Sequence, residues 1–255
     1  MKMLNKKIAL ITGSTKGIGK SIAYEFSKQG ANVIITARNQ NEINEIVKNI
    51  KTKYNTEPLG IRMDITKQQD VDILFKEIID RHSKIDVLIN NAGYPLISKL
   101  WNMRFHEVTD EDYGKIFEVD VMGAIRCTRK AIPIMMENKN GVVINISSTP
   151  TISGHDKGVA YTIAKSGLSG LTKHIAYEYG KYNIRANTLA LGNIKTSKTY
   201  DILNEKEKKL IAEESILNRW GEPRDVAKTC AFLSSDYSEF ITGQTIIVDG
   251  GATIR

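Results

Sequence analysis

Seven short runs rich in β-branched and other apolar residues recur along this chain, most of them separated by a longer amphipathic stretch. The runs are Ile8–Ile11, Val33–Thr36, Pro58–Met63, Val87–Asn90, Val142–Ile146, Ile184–Leu189 and Thr245–Val248. Several, such as Val142-Val143-Ile144, are apolar without alternation, as a strand buried on both faces requires. Helical periodicity occupies Gly17–Gln29, Gln40–Tyr54, Lys67–Arg81, Asp110–Glu137, Val159–Tyr179 and Arg224–Ser234. Strand–helix alternation predicts an α/β fold, a doubly wound parallel sheet of about seven strands with helices on both faces. A chain of 255 residues fits one such domain, spanning residues 1–255. The charged stretch Lys195–Ser215 has the least defined pattern and is expected to form a mobile helical lid.

Composition narrows the function classes. The net charge is +7, but Lys and Arg are interspersed with Asp and Glu, and no basic block interleaves with aromatic residues. Nucleic acid is therefore not an expected partner. The longest apolar runs fall well short of the ~20 residues that cross a bilayer, so no membrane association is expected. Cys127 and Cys230 form no CxxC pair, and His82, His106, His155 and His174 are dispersed. This predicts neither a disulfide framework nor a metal site, and suits a reducing, cytoplasmic setting.

The first strand runs into Thr12-Gly13-Ser14-Thr15-Lys16-Gly17-Ile18-Gly19 and then an amphipathic helix. Glycines let a pyrophosphate approach the backbone, and a helix N-terminus offers it free N–H groups. At the end of the second strand a carboxylate would bond ribose hydroxyls and repel a 2′-phosphate. The chain reads Thr36-Ala37-Arg38-Asn39 there, with no acid, and Lys16 lies in the glycine turn. Arg38 and Lys16 are the expected 2′-phosphate clamp, so NADP is the expected cofactor in preference to NAD.

Tyr161 and Lys165 are four apart on a predicted helix and share a face, where the ammonium favours the phenolate. The YxxxK pattern also occurs at Tyr24/Lys28 and Tyr177/Lys181. Thirteen residues before Tyr161 stands Ser148, whereas Ile11 and Ala164 hold the corresponding places before Tyr24 and Tyr177. Ser148 ends a buried strand at the sheet edge where such folds bind ligands, and Ser147 is its neighbouring alternative. Tyr161 as proton donor and acceptor, with Ser148 holding the substrate oxygen, is a reaction centre for a carbonyl or an alcohol.

GxxxGxG spacing, the Ser148/Tyr161/Lys165 set and Asn90-Asn91-Ala92-Gly93 together resemble the short-chain dehydrogenase/reductase family. The match continues through Arg185-Ala186-Asn187, Asn218–Pro223, Ile241-Thr242-Gly243-Gln244 and Asp249-Gly250-Gly251, and so covers nearly the whole chain. The resemblance implies a Rossmann-like fold, a nicotinamide dinucleotide and, usually, a homotetramer. It places Asn91, Ala92, Gly93 and Asp64 along the cofactor and Asp64 near its adenine. It also implies that Ile194 and Thr196 contact the nicotinamide carboxamide, and it puts Ala37 where NAD-preferring relatives carry Asp.

Two residues depart from the family pattern. Asp120 stands where the family commonly has a catalytic Asn that holds a proton-relaying water. It keeps that residue's size, lacks the amide donor and carries a charge able to pair with Lys165. Leu191 replaces a usual Pro, which predicts a less rigid loop before Ile194. The family branches nearest in pattern are the 3-oxoacyl-[acyl-carrier-protein] reductases and the sugar or polyol dehydrogenases, so the substrate is a small carbonyl or alcohol, free or carrier-bound. Lys139 and Lys181 lie in roughly the places where the carrier-protein reductases dock their acidic partner. His155 and Asp156 either touch a polar substrate or make a turn, and Tyr94–Glu107 either lines the substrate pocket or packs on a neighbouring subunit. A dinucleotide-binding sensor without turnover is the alternative outside enzymology, invited by Asp120.

Overall fold

A computed structural model describes residues 2–95 and 98–254. The strands β1 (Ile8–Ile11), β2 (Asn32–Ala37), β3 (Leu59–Arg62), β4 (Val87–Asn90), β5 (Gly141–Ser148), β6 (Ile184–Leu191) and β7 (Thr245–Val248) form one parallel sheet in the order β3-β2-β1-β4-β5-β6-β7. The doubly wound, seven-stranded architecture expected from the sequence is thereby observed. Strand β6 runs two residues past the predicted Leu189, and β3 is shorter than the predicted Pro58–Met63.

The helices are α1 (Gly17–Lys28), α2 (Gln40–Lys53), α3 (Gln68–His82), α4 (Ser98–Asn102), α5 (Asp110–Phe117), α6 (Gly123–Glu137), α7 (Pro150–Ser153), α8 (Val159–Tyr179), α9 (Glu205–Glu213) and α10 (Pro223–Leu233). Each main helix presents an apolar stripe at helical spacing, such as Ile22, Ala23 and Phe26 on α1 and Ile43, Ile46 and Ile50 on α2. Successive strand residues face opposite ways. Ala9, Ile11, Val33 and Ile35 accordingly pack with α1, α2 and α10, while Ile8, Leu10, Ile34 and Leu88 pack with α3, α6 and α8. Two apolar faces explain why the strands read as continuous rather than alternating runs.

The predicted helix Asp110–Glu137 is interrupted. Residues Glu118–Met122 form a π-helical turn joining α5 to α6, with Asp120 at its centre. A π turn inserts an extra residue and rotates the side chains that follow it. The chain reverses its direction of winding between β1 and β4, so their C-terminal ends diverge and leave a crevice. Among the described residues no helix is long and apolar enough to cross a membrane, and no group of three His, Cys, Asp or Glu side chains forms a metal cage. Burial holds both thiols in the protonated form, with Cys127 pushed up to about 12.

The C-terminal motifs brace one another. The Arg185 guanidinium, buried on β6, donates to the carbonyls of Leu233 (2.9 Å), Ser235 (3.1 Å) and Ile241 (3.2 Å). Asn187 donates to the Ile241 carbonyl at 2.9 Å and accepts from the Gln244 amide at 3.1 Å. Removing the guanidinium would leave these carbonyls short of partners in a poorly hydrated place. Arg185→Met is therefore expected to lose about 3 kcal/mol of stability. A urea midpoint indistinguishable from the parent's would show that water replaces these bonds at no cost.

Candidate active site

The turn after β1 is tied to the end of β4. Thr12 Oγ1 accepts from the Asn91 and Ala92 amides at 3.0 and 2.9 Å, and the Asn91 side chain donates to the Thr12 and Gly13 carbonyls at 2.9 and 3.0 Å. Gly19 fits only because it lacks a side chain, since a Cβ there would lie 2.3 Å from the Gly13 carbonyl oxygen. Ser14 locks the turn to β2, its Oγ accepting from the Thr36 amide at 2.9 Å. Among the described residues the N-cap Lys16 makes no side-chain cap bond to the α1 N-terminus, which leaves its first N–H groups suited to an anion. Ile18 packs against the core, which leaves its backbone as the part available to a ligand. From far along the chain Thr196 arrives beside Gly17, its methyl 3.5 Å from where a Cβ on that glycine would stand. The predicted phosphate residues are thus brought together in one cradle that fits a dinucleotide.

The adjoining β2–β3 end carries more charge than the sequence disclosed. Arg38 is exposed just past β2, and its carbonyl accepts from Arg62 Nε at 3.2 Å. Arg62 pairs in register with Ala37, which adds a second guanidinium to the patch. Helix α2 also brings a carboxylate, which was not expected. Glu42 forms an ion pair with Lys16 at 2.7 Å and accepts from Thr15 Oγ1 at 2.9 Å. Lys16 and then Thr15 hold the Glu42 carboxyl below its usual range. Its position three residues after the Asn39 cap suggests a capping role, and only the fold shows it turned to Lys16. Asp64 Oδ1 accepts from the Thr66 amide and hydroxyl at 3.1 and 2.8 Å. Burial pushes its pKa up, but the Thr66 bonds and the charges of Arg38 and Lys67 outweigh that and hold it low.

At the ends of β5 and β6 the two candidate serines separate. Ser147 is buried and donates to the Lys165 carbonyl at 3.1 Å, a bond that docks α8 on the sheet. Ser148 is only half-buried, donates to the Leu191 carbonyl at 3.2 Å, and lies at the sheet edge. Tyr161 sits in the first turn of α8, with the Lys165 ammonium 5.7 Å from its ring centre. Lys165 is buried; it donates to the Ile146 carbonyl at 3.1 Å and pairs with Asp120 Oδ2 at 2.9 Å. The other Asp120 oxygen accepts from the Tyr94 amide, just past Gly93. Burial works against the Lys165 charge more than any other single influence, yet Asp120 and Tyr161 together outweigh it and hold the ammonium above its ordinary 10.5. The π turn is what aims Asp120 inward.

Leu191 does not loosen the loop after β6. It extends the strand, pairing with Ser148 on one side and Val248 on the other. Beyond it, Ile194 bridges to Gly221 and Lys195 donates to the Gly221 carbonyl at 2.8 Å, which pins Ile194 and Thr196. Of the segment Tyr94–Glu107, Leu96 and Ile97 lie outside the described residues. Trp101 of α4 stands edge-on to Tyr161 at 5.8 Å between ring centres, a contact the sequence did not signal. His155 makes a turn, accepting from the Lys157 amide at 3.0 Å, and its ring lies 5.4 Å from that of Trp101. Lys139 and Lys181 precede β5 and β6, whereas Ser148 and Leu191 end those strands. They are therefore at the far sheet edge, roughly 25 Å from the crevice by strand rise.

Comparison with known proteins agrees with this fold and gives its family. A family profile described as Enoyl-(Acyl carrier protein) reductase matches residues 13–253. The protein named 3-oxoacyl-[acyl-carrier-protein] reductase FabG of Rickettsia conorii is 37% identical over 248 residues, 97% of either chain. Its namesake in Staphylococcus aureus is 34% identical over 252 residues, covering 98% of this chain and 99% of the other. A crystal structure assigned as a gluconate dehydrogenase from Agrobacterium tumefaciens superposes with a TM-score of 0.92, at 26% identity, covering 99% of this chain and 98% of that one.

The Lys165–Asp120 pair should contribute to folding at neutral pH. With its pKa above the unfolded value, Lys165 stabilises the fold fully below 10.5 and loses that contribution as the pH rises through the folded value. Asp120→Leu would leave a buried ammonium without its counter-charge, and is expected to destabilise by about 3 kcal/mol at pH 7. Denaturant titration of this variant at pH 7 tests that; a loss below about 1 kcal/mol would mean the pair is energetically idle.

Proposed function

The chain belongs to the short-chain dehydrogenase/reductase family, and from that premise we propose that it reduces 3-oxoacyl thioesters, carried on acyl carrier protein, with NADPH. It is an oxidoreductase acting on CH–OH and C=O groups with a nicotinamide dinucleotide. The thioester reading draws its support from the full-length similarity to proteins named 3-oxoacyl-[acyl-carrier-protein] reductase. The mechanism draws its support from one arrangement: Tyr161 at the start of α8 with a buried lysine by its ring, and a half-buried serine hydroxyl at the end of β5.

When bound, the dinucleotide supplies the hydride that the carbonyl carbon accepts. Ser148 donates a hydrogen bond to the carbonyl oxygen and exchanges its bond to Leu191 for that one. Tyr161 delivers the proton that turns this oxygen into a hydroxyl. Lys165 stabilises the tyrosinate left behind. Asp120 fixes the ammonium in place and at the same time offsets part of its field. Gly13 to Gly19, with Asn91, Ala92 and Gly93, would hold the pyrophosphate and nicotinamide ribose. Ile194 and Thr196 would meet the carboxamide, and Asp64 the adenine.

The preference for NADPH rests on Arg38, which Arg62 joins. Lys16 is shared with Glu42, so it acts on a 2′-phosphate at reduced strength. Residues 195–215 are read as the lid of the single domain. Tyr200 anchors it, packed edge-on to Trp220 at 5.2 Å, while Lys208 gives its carbonyl to the Trp220 indole N–H at 2.9 Å. Among the described residues β7 has a free sheet edge, near the fully exposed Phe240, and both suit a subunit contact in a homotetramer working in the cytoplasm.

Three outcomes are expected. Tyr161→Phe should lower NADPH-dependent turnover of an acetoacetyl thioester at least about 100-fold while NADPH still binds. Turnover near the parent's would remove Tyr161 from the chemistry. Arg38→Ala should weaken NADPH binding roughly 10- to 100-fold and leave NADH nearly unchanged, as titrated by cofactor fluorescence; equal losses for both would assign 2′-phosphate recognition elsewhere. Asp120→Asn leaves the ammonium's field on Tyr161 unopposed. Its alcohol oxidation should reach half-maximal rate at a lower pH than the parent's, by roughly one unit, and superimposable pH profiles would sink the role given to Asp120.

A further inference from the structure

The segment between β4 and α5 ends in a contact that bears on what fits beside Tyr161. Gly158, just before α8, donates its amide to the Trp101 carbonyl at 2.8 Å. Its φ of +71° is the left-handed conformation that glycine adopts freely, and a Cβ there would lie 2.3 Å from the Trp101 ring. Backbone bond and missing side chain together seat the indole over the start of α8. Three residues on, its edge meets the Tyr161 ring, at an interplanar angle of 66°. The indole is therefore a fixed wall beside the phenol.

Behind that wall is an apolar cleft of about 320 Å³, lined by Tyr94, Leu100, Trp101, Ile116, Ala160 and Tyr161. This volume includes space open to solvent. The space open to the centre of a water-sized group is about 20 Å³, room for roughly one such group. Tyr161 lines this cleft, so a carbonyl bonded to its hydroxyl would have the cleft open to one of its two substituents. That room suits a methyl group, and a longer chain meets the indole, one of the walls of the cleft.

We infer that Trp101 is a specificity-determining residue that restricts the non-thioester substituent of the reacting carbonyl to about a methyl group, making the preferred thioester acetoacetyl. The inference rests on the carbonyl-reductase geometry above, and its thioester form on the substrate proposed there. An added methylene in a size-limited apolar pocket changes kcat/KM by roughly 10-fold or more. Truncating the wall should therefore change the chain-length profile, whereas a purely structural tryptophan would lower the rate at every length alike.

The test compares kcat/KM for 3-oxoacyl thioesters of four to twelve carbons, alongside unbranched 2-ketones and 3-ketones of matched size, in the parent, Trp101→Ala, Trp101→Leu and Trp101→Phe. The parent should lose at least about 10-fold between four and eight carbons. Trp101→Ala should raise the eight-to-four-carbon ratio at least about 10-fold, with Trp101→Leu intermediate and Trp101→Phe close to the parent. The Leu and Phe forms keep the test readable should the Ala form fold poorly. A ratio unchanged in both the Ala and Leu variants overturns the inference. If the thioesters are inert while the ketones show the same shift with Trp101, the wall stands and the thioester substrate fails.

Discussion

An ammonium removed from water needs a counter-charge and a hydrogen-bond acceptor, and the placement of much of this site follows from how Lys165 obtains them. Its acceptor is the Ile146 carbonyl on β5 and its counter-charge is Asp120 on the π turn. Asp120 in turn accepts from the Tyr94 amide beyond β4. One buried charge thus draws together the sheet, α8, the π turn and the segment after β4. Tyr161, one helical turn from Lys165, is placed at the crevice as a consequence. The π turn carries Asp120 at its centre, buried against this ammonium.

A polar ladder beneath the site continues this placement through the core. Asn90 donates to Asn145 at 2.8 Å and to Thr128 at 3.0 Å; Asn145 donates to Thr172 at 2.8 Å, whose hydroxyl meets that of Thr188 at 2.7 Å. The ladder crosses β4, β5 and β6 and reaches α6 and α8. Apart from Asn90 Oδ1, the side-chain groups of this ladder find hydrogen-bond partners, so each rung admits few alternatives in register. Stiffness at the cofactor turn arises in the same way, from Thr12 and Asn91 bonding each other's backbone. The crevice is therefore lined by side chains whose neighbours are already committed, as a site that must hold its geometry through a reaction requires.

Much of this was legible in the chain. Continuous apolar runs announced a sheet covered on both faces, and the three YxxxK pairs could be told apart by what stands thirteen residues earlier. The fold gives the other two different surroundings: Tyr24, on α1, packs edge-on to Tyr54 at 6.4 Å, and Tyr177 is almost fully exposed near the C-terminal end of α8. Contacts made across long sequence distances were not legible. Glu42 reads as a helix-start acid until α2 swings it to Lys16, Arg62 reads as a strand-end cation until it registers beside Ala37, and Trp101 reads as one more apolar residue until Gly158 seats it.

By itself, then, the sequence determined the sheet and its two covered faces, and it marked out the glycine turn, the Tyr161–Lys165 pair and two adjacent serines ahead of it, because these are written in local periodicity or in fixed spacing along the chain. Tertiary structure alone decided which of two adjacent serines faces the crevice, that Asp120 lies at the ammonium, that Lys16 is shared with a carboxylate, and that an indole bounds the space beside the phenol. Those outcomes depend on a one-residue π insertion, on strand register and on the absence of a Cβ at Gly158, which bring together groups that no periodicity along the chain connects.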